Sequence, residues 1–191
     1  NGIPMYPVPF PVDLEKFKPQ QKRRNSNRVF IYIKNRHYRD GEIVNILLKD
    51  HGYDPVIIDY HKGYNQDEYI KLLNESSFGI WIDGSESQGF ALEEALAMDV
   101  PLLVWSVTRL DQIPGCEQLY HNIHTKVESA PYWDDRCGVL ITDIYQLQSA
   151  LEKLKLGIEQ RIFKPREFVK EKLSIKAIYE KYWKPICQIG Y

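Results

Sequence analysis

Hydrophobic and polar positions follow two different periods along this chain, and the change of period marks its elements. From Arg28 onward, short apolar runs rich in β-branched residues recur at 29–33, 55–58, 78–82, 101–105 and 139–141. Runs this short and this uniformly apolar predict strands buried on both faces. Between them the apolar positions fall three and four apart, which predicts helices. Residues 40–50 carry Ile43, Ile46 and Leu47 at that spacing and end at His51-Gly52, a helix stop. Tyr69, Ile70 and Leu73 share one face over 67–73, and further helices are expected at 90–98 and 144–156. Lys164-Pro165-Arg166-Glu167 opens another, with proline where a first turn tolerates it, and Ser174 caps a last helix running towards Trp183. Residues 106–137 read as an irregular loop with one or two short elements.

The alternation of strand and helix predicts an α/β fold: a doubly wound parallel sheet, Rossmann-like, with helices on both faces. That domain is expected to span 28–191 with closing C-terminal helices. Residues 1–27 differ. They hold Pro4, Pro7, Pro9, Pro11 and Pro19 of the eleven prolines. Proline fixes φ and removes a donor, so this stretch is expected to be an extended arm or hinge and not a core element.

Composition narrows the classes. A chain of 191 residues suits one domain, and 43% hydrophobic content with 13% aromatics excludes disorder. With 25 basic against 26 acidic residues, no nucleic-acid partner is expected, since displacing counterions needs a basic surplus. The run Lys22-Arg23-Arg24 reads as a solvated linker. Cys116, Cys137 and Cys187 are odd in number and lack metal-ligand spacing, so a reducing, cytoplasmic setting is expected. No apolar run reaches membrane-spanning length, and no metal site or cofactor is expected. The chain starts at Asn1 without a methionine and is expected to be a piece of something longer.

In an open parallel sheet, ligands sit beyond the carboxyl ends of the strands, which directs attention to residues 34–39, 60–64, 83–89 and 106–115. The third of these joins a strand to a helix whose start contains Gly89. A helix N-terminus presents unpaired N–H groups and a partial positive charge, which suits a diphosphate, and glycine lets it approach the backbone. Glu86 lies in the mouth of that loop. Glu94 lies just over one turn into the helix, expected on the Ala91–Ala95 side and away from Glu93. Ionised carboxylates there accept hydrogen bonds from paired sugar hydroxyls. Taken alone, the same residues also describe a loop charge and a solvated helix glutamate.

Residues 86–101, ESQGFALEEALAMDVP, resemble the E-x7-E signature of retaining GT-B glycosyltransferases of the large family four. Glu86, Gly89, Glu94, Ala95, Ala97 and Pro101 match; Gln88 stands where the pattern has Phe, and Asp99 where it has a second Gly. The arm over 7–19 is similar to the hinge entering that family's C-terminal domain, and 174–182 to its closing helix. The strings PYWDDRCG at 131–138 and KPREF at 164–168 are not general family features and resemble a divergent subgroup, with a likeness to proteins of large DNA viruses.

The resemblance implies a C-terminal, donor-binding GT-B domain. It would transfer a sugar with retention from a nucleoside diphosphate sugar to a glycan or other acceptor, without a metal. Glu86 would lie nearest the transferred sugar as the catalytic candidate. Glu94 would hold the ribose, and Ser87, Gln88, Gly89, Phe90 and Ala91 the diphosphate. Lys34 and Arg36, with Arg39 behind them, are the candidate phosphate cations, where the family has Gly-Arg and a later Lys. Tyr60 or Tyr64 would stack on the base. An N-terminal acceptor domain or a partner chain would supply the other half. The alternative is a non-catalytic nucleotide-sugar-binding module or one half of a split enzyme. A flavodoxin-like or receiver domain fits less well, because the first loop lacks a flavin phosphate cradle and no acidic cluster with a phosphoacceptor ends the strands.

Overall fold

A computed structural model of the protein describes residues 7–20, 27–118 and 127–188. The strands β1 (Arg28–Lys34), β2 (Asp54–Asp59), β3 (Gly79–Asp83), β4 (Leu102–Trp105) and β5 (Gly138–Ile141) form one parallel sheet in the order β2-β1-β3-β4-β5. The expected α/β class is therefore the observed one. Strand side chains alternate between two cores, as a period of two requires. Phe30, Tyr32, Trp81, Leu102 and Val104 enter one core; Ile31, Ile33, Ile80, Ile82 and Leu103 enter the other. Because both faces of the central strands are covered, the middles of β1, β3 and β4 are apolar instead of amphipathic.

The second core is closed by α1 (Tyr38–Asp50) and α4 (Leu147–Glu159), through Val44, Leu48, Leu147, Leu151 and Leu154. The first is closed by α2 (Gln66–Glu75), α3 (Phe90–Ala97) and α5 (Pro165–Lys172), through Tyr69, Leu73, Leu92, Leu96, Phe168 and Val169. Helices α1 and α2 lie on opposite faces because the chain first moves outward from β1 to β2 and then back across β1 to β3. Crossovers of one hand then demand opposite faces. Local signals hold at the termini: Asn65 caps α2, accepting from the Asp67 and Glu68 N–H groups, and Ser174 caps α6 (Ile175–Ile178), accepting from the Ala177 N–H at 3.1 Å. A π-helical turn, Tyr179–Trp183, follows α6 and leads into α7 (Lys184–Gln188).

One expectation is overturned. The arm is extended over 7–13, but it is not outside the core: Val12 and Phe17 are buried in the first core. The Val12 N–H donates to the Leu173 carbonyl at 2.9 Å, and the Arg166 guanidinium donates to the Leu14, Phe17 and Ala97 carbonyls. Proline limits which conformations the arm can take; it does not prevent the residues between prolines from burying apolar area. The basic run at 22–24 lies outside the described residues. Among the described residues no helix is long and apolar enough to cross a membrane.

Candidate functional site

The strand order reverses between β1 and β3, and the crevice at their carboxyl ends is where such a sheet receives ligands. Lys34 ends β1 and Asp83 ends β3. The Gly84 N–H donates to the Lys34 carbonyl at 3.0 Å, drawing the two loops together. A Cβ on Gly84 would stand 3.0 Å from the Cβ of Asn35, so glycine permits the approach. Asn35 itself takes a left-handed backbone, φ 51°.

Lys34 Nζ pairs with Glu86 Oε1 and lies 4.7 Å from the centre of the Tyr60 ring. Beneath them Asp83 is fully buried, and neither of its carboxylate oxygens has a hydrogen-bond donor among the described residues. Burial, and then the adjacent Glu86 carboxyl, push Asp83 up to about 8, with Lys34 opposing. The Lys34 ammonium, despite burial that favours its neutral form, is held above its ordinary value by Glu86 and Asp83. Asp83 thus retains a proton that an isolated carboxyl would have lost.

The Tyr64 ring meets Tyr32 edge-on at 6.1 Å, and its hydroxyl is raised by burial, with a smaller contribution from the charge of Glu94. Glu94 is half-buried, pushed up to about 7 by burial, with Lys16 of the arm pulling it down. The side chains of Lys34, Tyr60 and Glu86 therefore meet at the mouth of β1 and β3. Tyr64 also lines a cavity of about 560 Å³ along the free edge of β2.

The other expected residues are placed differently. Arg36 is engaged by the fold. Its guanidinium bonds Asp40 at 3.0 Å, reaches the Trp105 carbonyl at 3.3 Å and lies 4.5 Å from the Trp105 ring centre. The Gln88 side chain is engaged too: its carbonyl accepts from the Phe10 N–H at 3.1 Å, and its amide donates to Glu93 at 2.6 Å. Ser87 is exposed, and Phe90 is exposed beside Phe10 at 5.8 Å between rings. The Ala91 carbonyl accepts from the Tyr69 hydroxyl at 2.7 Å. Gly89 caps α3 at φ 81°, and a Cβ there would meet nothing closer than 3.8 Å. The left-handed backbone, not crowding within the protein, is what asks for glycine.

Two residues escaped sequence reasoning. Glu93 is 1% exposed, with Oε2 unpaired among the described residues. The signal was present, because Glu93 precedes Leu96 and Ala97 by three and four positions and so shares their buried face. Ser129 carried no such signal. Its hydroxyl donates to the Asp83 carbonyl at 2.8 Å and accepts from the Val107 N–H at 3.1 Å, pinning the long loop under the site. Among the described residues no group of three metal-capable side chains converges.

Fold and site together define a doubly wound α/β domain whose ionisable groups collect at the switch point of the sheet. No protein-family model matches the chain, and no curated protein matches it.

Proposed function

We propose that this chain is the donor-binding half of a retaining, metal-independent glycosyltransferase, with a nucleoside diphosphate sugar at the mouth of β1 and β3. One observation carries the reading: the segment resembling the E-x7-E signature leaves β3 as a loop and helix, with Glu86 paired to Lys34 at the end of β1. One departure from the family pattern also fits it. Asp99 (φ 59°) holds left-handed backbone where the pattern has its second glycine. Asparagine and aspartate are the side chains that tolerate that region best.

In this reading Lys34 leaves Glu86 for the diphosphate, joined by the free N–H groups at the start of α3. Glu94 accepts hydrogen bonds from ribose hydroxyls and Tyr60 stacks on the base. Glu86, released from Lys34, stands nearest the transferred sugar. Stabilising the departing diphosphate is the chemical contribution, because charge develops there in the transition state. An N-terminal domain or a partner chain supplies the acceptor half. The thiols Cys116, Cys137 and Cys187 are unpaired, which supports a reducing compartment such as the cytoplasm. The engagement of Arg36 and Gln88 within the fold favours a second reading, a module that binds the donor without turnover.

A thermal-shift panel of UDP, GDP, ADP and their sugar conjugates tests both. A ligand at 100-fold its dissociation constant adds about 2.7 kcal/mol, or roughly 5–11 °C for a domain this size. The expected result is a base-selective rise that Glu94→Ala removes. Release of free nucleoside diphosphate from the bound conjugate separates enzyme from module. No rise with any member at millimolar concentration overturns both.

A further inference from the structure

The loop after β4 returns to the sheet through residues 127–137, and its rigidity has identifiable sources. Ser129 bonds the Asp83 carbonyl, the Val107 N–H and the Ser106 hydroxyl at one end. At the other, Arg136 holds Asp134 at 2.7 Å and Glu171 of α5 at 2.6 Å. The loop between these anchors therefore does not depend on its aromatic side chains for order. Tyr132 and Trp133 nevertheless sit there, each packed on the first core by part of its surface and open on the rest.

The open parts face a cavity of about 290 Å³, whose lining also includes Tyr182, Lys172, Lys181 and Asp134. Lys181 and Tyr182 come from the π-helical turn Tyr179–Trp183. Such turns are rare, well under about 1% of residues, and recur at functional sites, because the extra residue re-aims neighbouring side chains. Three aromatic residues with ammonium and carboxylate groups at the rim form an amphipathic surface: apolar C–H faces stack on rings while hydroxyls bond at the edge. Pyranose rings carry that combination, and the volume suits one or two of them. The cavity also adjoins the E-x7-E loop. Pro131, in its lining, would lie 3.9 Å from a Cβ on Gly89, and Tyr132 feels the charge of Glu93.

We propose that the cavity walled by Tyr132, Trp133 and Tyr182 binds a pyranose ring of the acceptor glycan beyond the portion held by the acceptor half. Naming that sugar the acceptor rests on the glycosyltransferase reading; carbohydrate binding there does not. Trp133 and Tyr182 stack on the ring, and Lys181 and Asp134 meet its hydroxyls.

Saturation-transfer NMR on the whole chain, with the methyl glycosides of glucose, galactose, mannose, N-acetylglucosamine and glucuronic acid as probes, tests the proposal. At least one probe is expected to bind at millimolar concentration. Trp133→Ala and Tyr182→Ala should each weaken it by about tenfold or more, as loss of a stacking anchor does. Trp133→Phe should retain part of the binding, and Lys153→Ala, exposed on α4 across the sheet, should leave it unchanged. Should Trp133→Ala fail to fold, Tyr182→Ala on the outer helical turn carries the test. Silence from every probe overturns the proposal, as does binding that survives both alanine variants. A nucleotide shift with no glycoside binding overturns this cavity and leaves the donor reading standing. Glycoside binding without a nucleotide shift supports the cavity while removing the donor reading.

Discussion

Glu93 has one oxygen on the Gln88 amide and the other on nothing among the described residues, deep beside α3. Burial pushes its carboxyl up to about 8, against an ordinary value of 4.5, with Gln88 opposing and Glu94 and Glu86 adding to the rise. Between those limits the folded chain binds a proton that the unfolded chain has released. Its contribution to stability is therefore complete below the ordinary value and is lost as pH rises towards 8. Asp83, also raised to about 8, acts in the same direction. Glu93→Gln keeps an acceptor for Gln88 and removes the buried charge. It should raise stability at pH 8 by on the order of 2 kcal/mol, or about 4–8 °C in Tm, with little change near pH 4.5. Melting curves across that pH range check this; a Tm at pH 8 equal to or below wild type refutes it. The slope should flatten only in part, since Asp83 still titrates.

Arg166, on the first turn of α5, ties three elements together. Its Nη2 donates to Leu14 at 3.0 Å, and its Nη1 donates to Phe17 at 2.6 Å and to Ala97 at the end of α3. Its own N–H donates to Asp99, the left-handed residue that follows α3, at 3.2 Å. The string KPREF, unexplained as sequence, is thus the joint between the arm, α3 and α5. Arg166→Ala removes donors from three carbonyls at once and should cost about 2–4 kcal/mol. Arg166→Lys should recover less than half of that, because an ammonium lacks the planar fork that reaches carbonyls on two segments. Urea unfolding midpoints decide, and equal midpoints for wild type and Arg166→Ala would remove the joint from the argument.

Across the whole molecule the arm belongs to the cooperative unit. Phe17 is 4% exposed and sits with Trp81, Leu96 and Phe168 in one core, whereas Phe10 is 64% exposed. Phe17→Ala should therefore cost about 3–5 kcal/mol and Phe10→Ala less than about 1 kcal/mol. Both variants should unfold in a single transition with an unchanged denaturant slope. A separate early transition in Phe17→Ala would mean that the arm folds apart from the sheet.

The strands were legible in the sequence because a strand buried on both faces is apolar along its middle, as Ile80, Trp81 and Ile82 are. The helices were legible because each presents one apolar face at a spacing of three and four, and several ends because Ser174, Gly52 and Pro165 act within a turn of themselves. The candidate site was legible only as a place: Lys34 ends β1, Tyr60 and Glu86 follow strand ends, and Glu94 lies in the helix after β3, all near the carboxyl edge that any parallel sheet offers. What those side chains touch was decided only by the tertiary structure. Nothing local says that Lys34 meets Glu86, that Arg36 reaches the Trp105 carbonyl, or that Gln88 closes on Phe10, 78 positions away. Asp83 ends a strand by its pattern, yet its full burial depends on Lys34 and Ser129 arriving from two distant segments. Propensity and period act over a few residues, while hydrogen bonding and desolvation depend on which distant groups share a volume, and that sharing exists only once the sheet has formed.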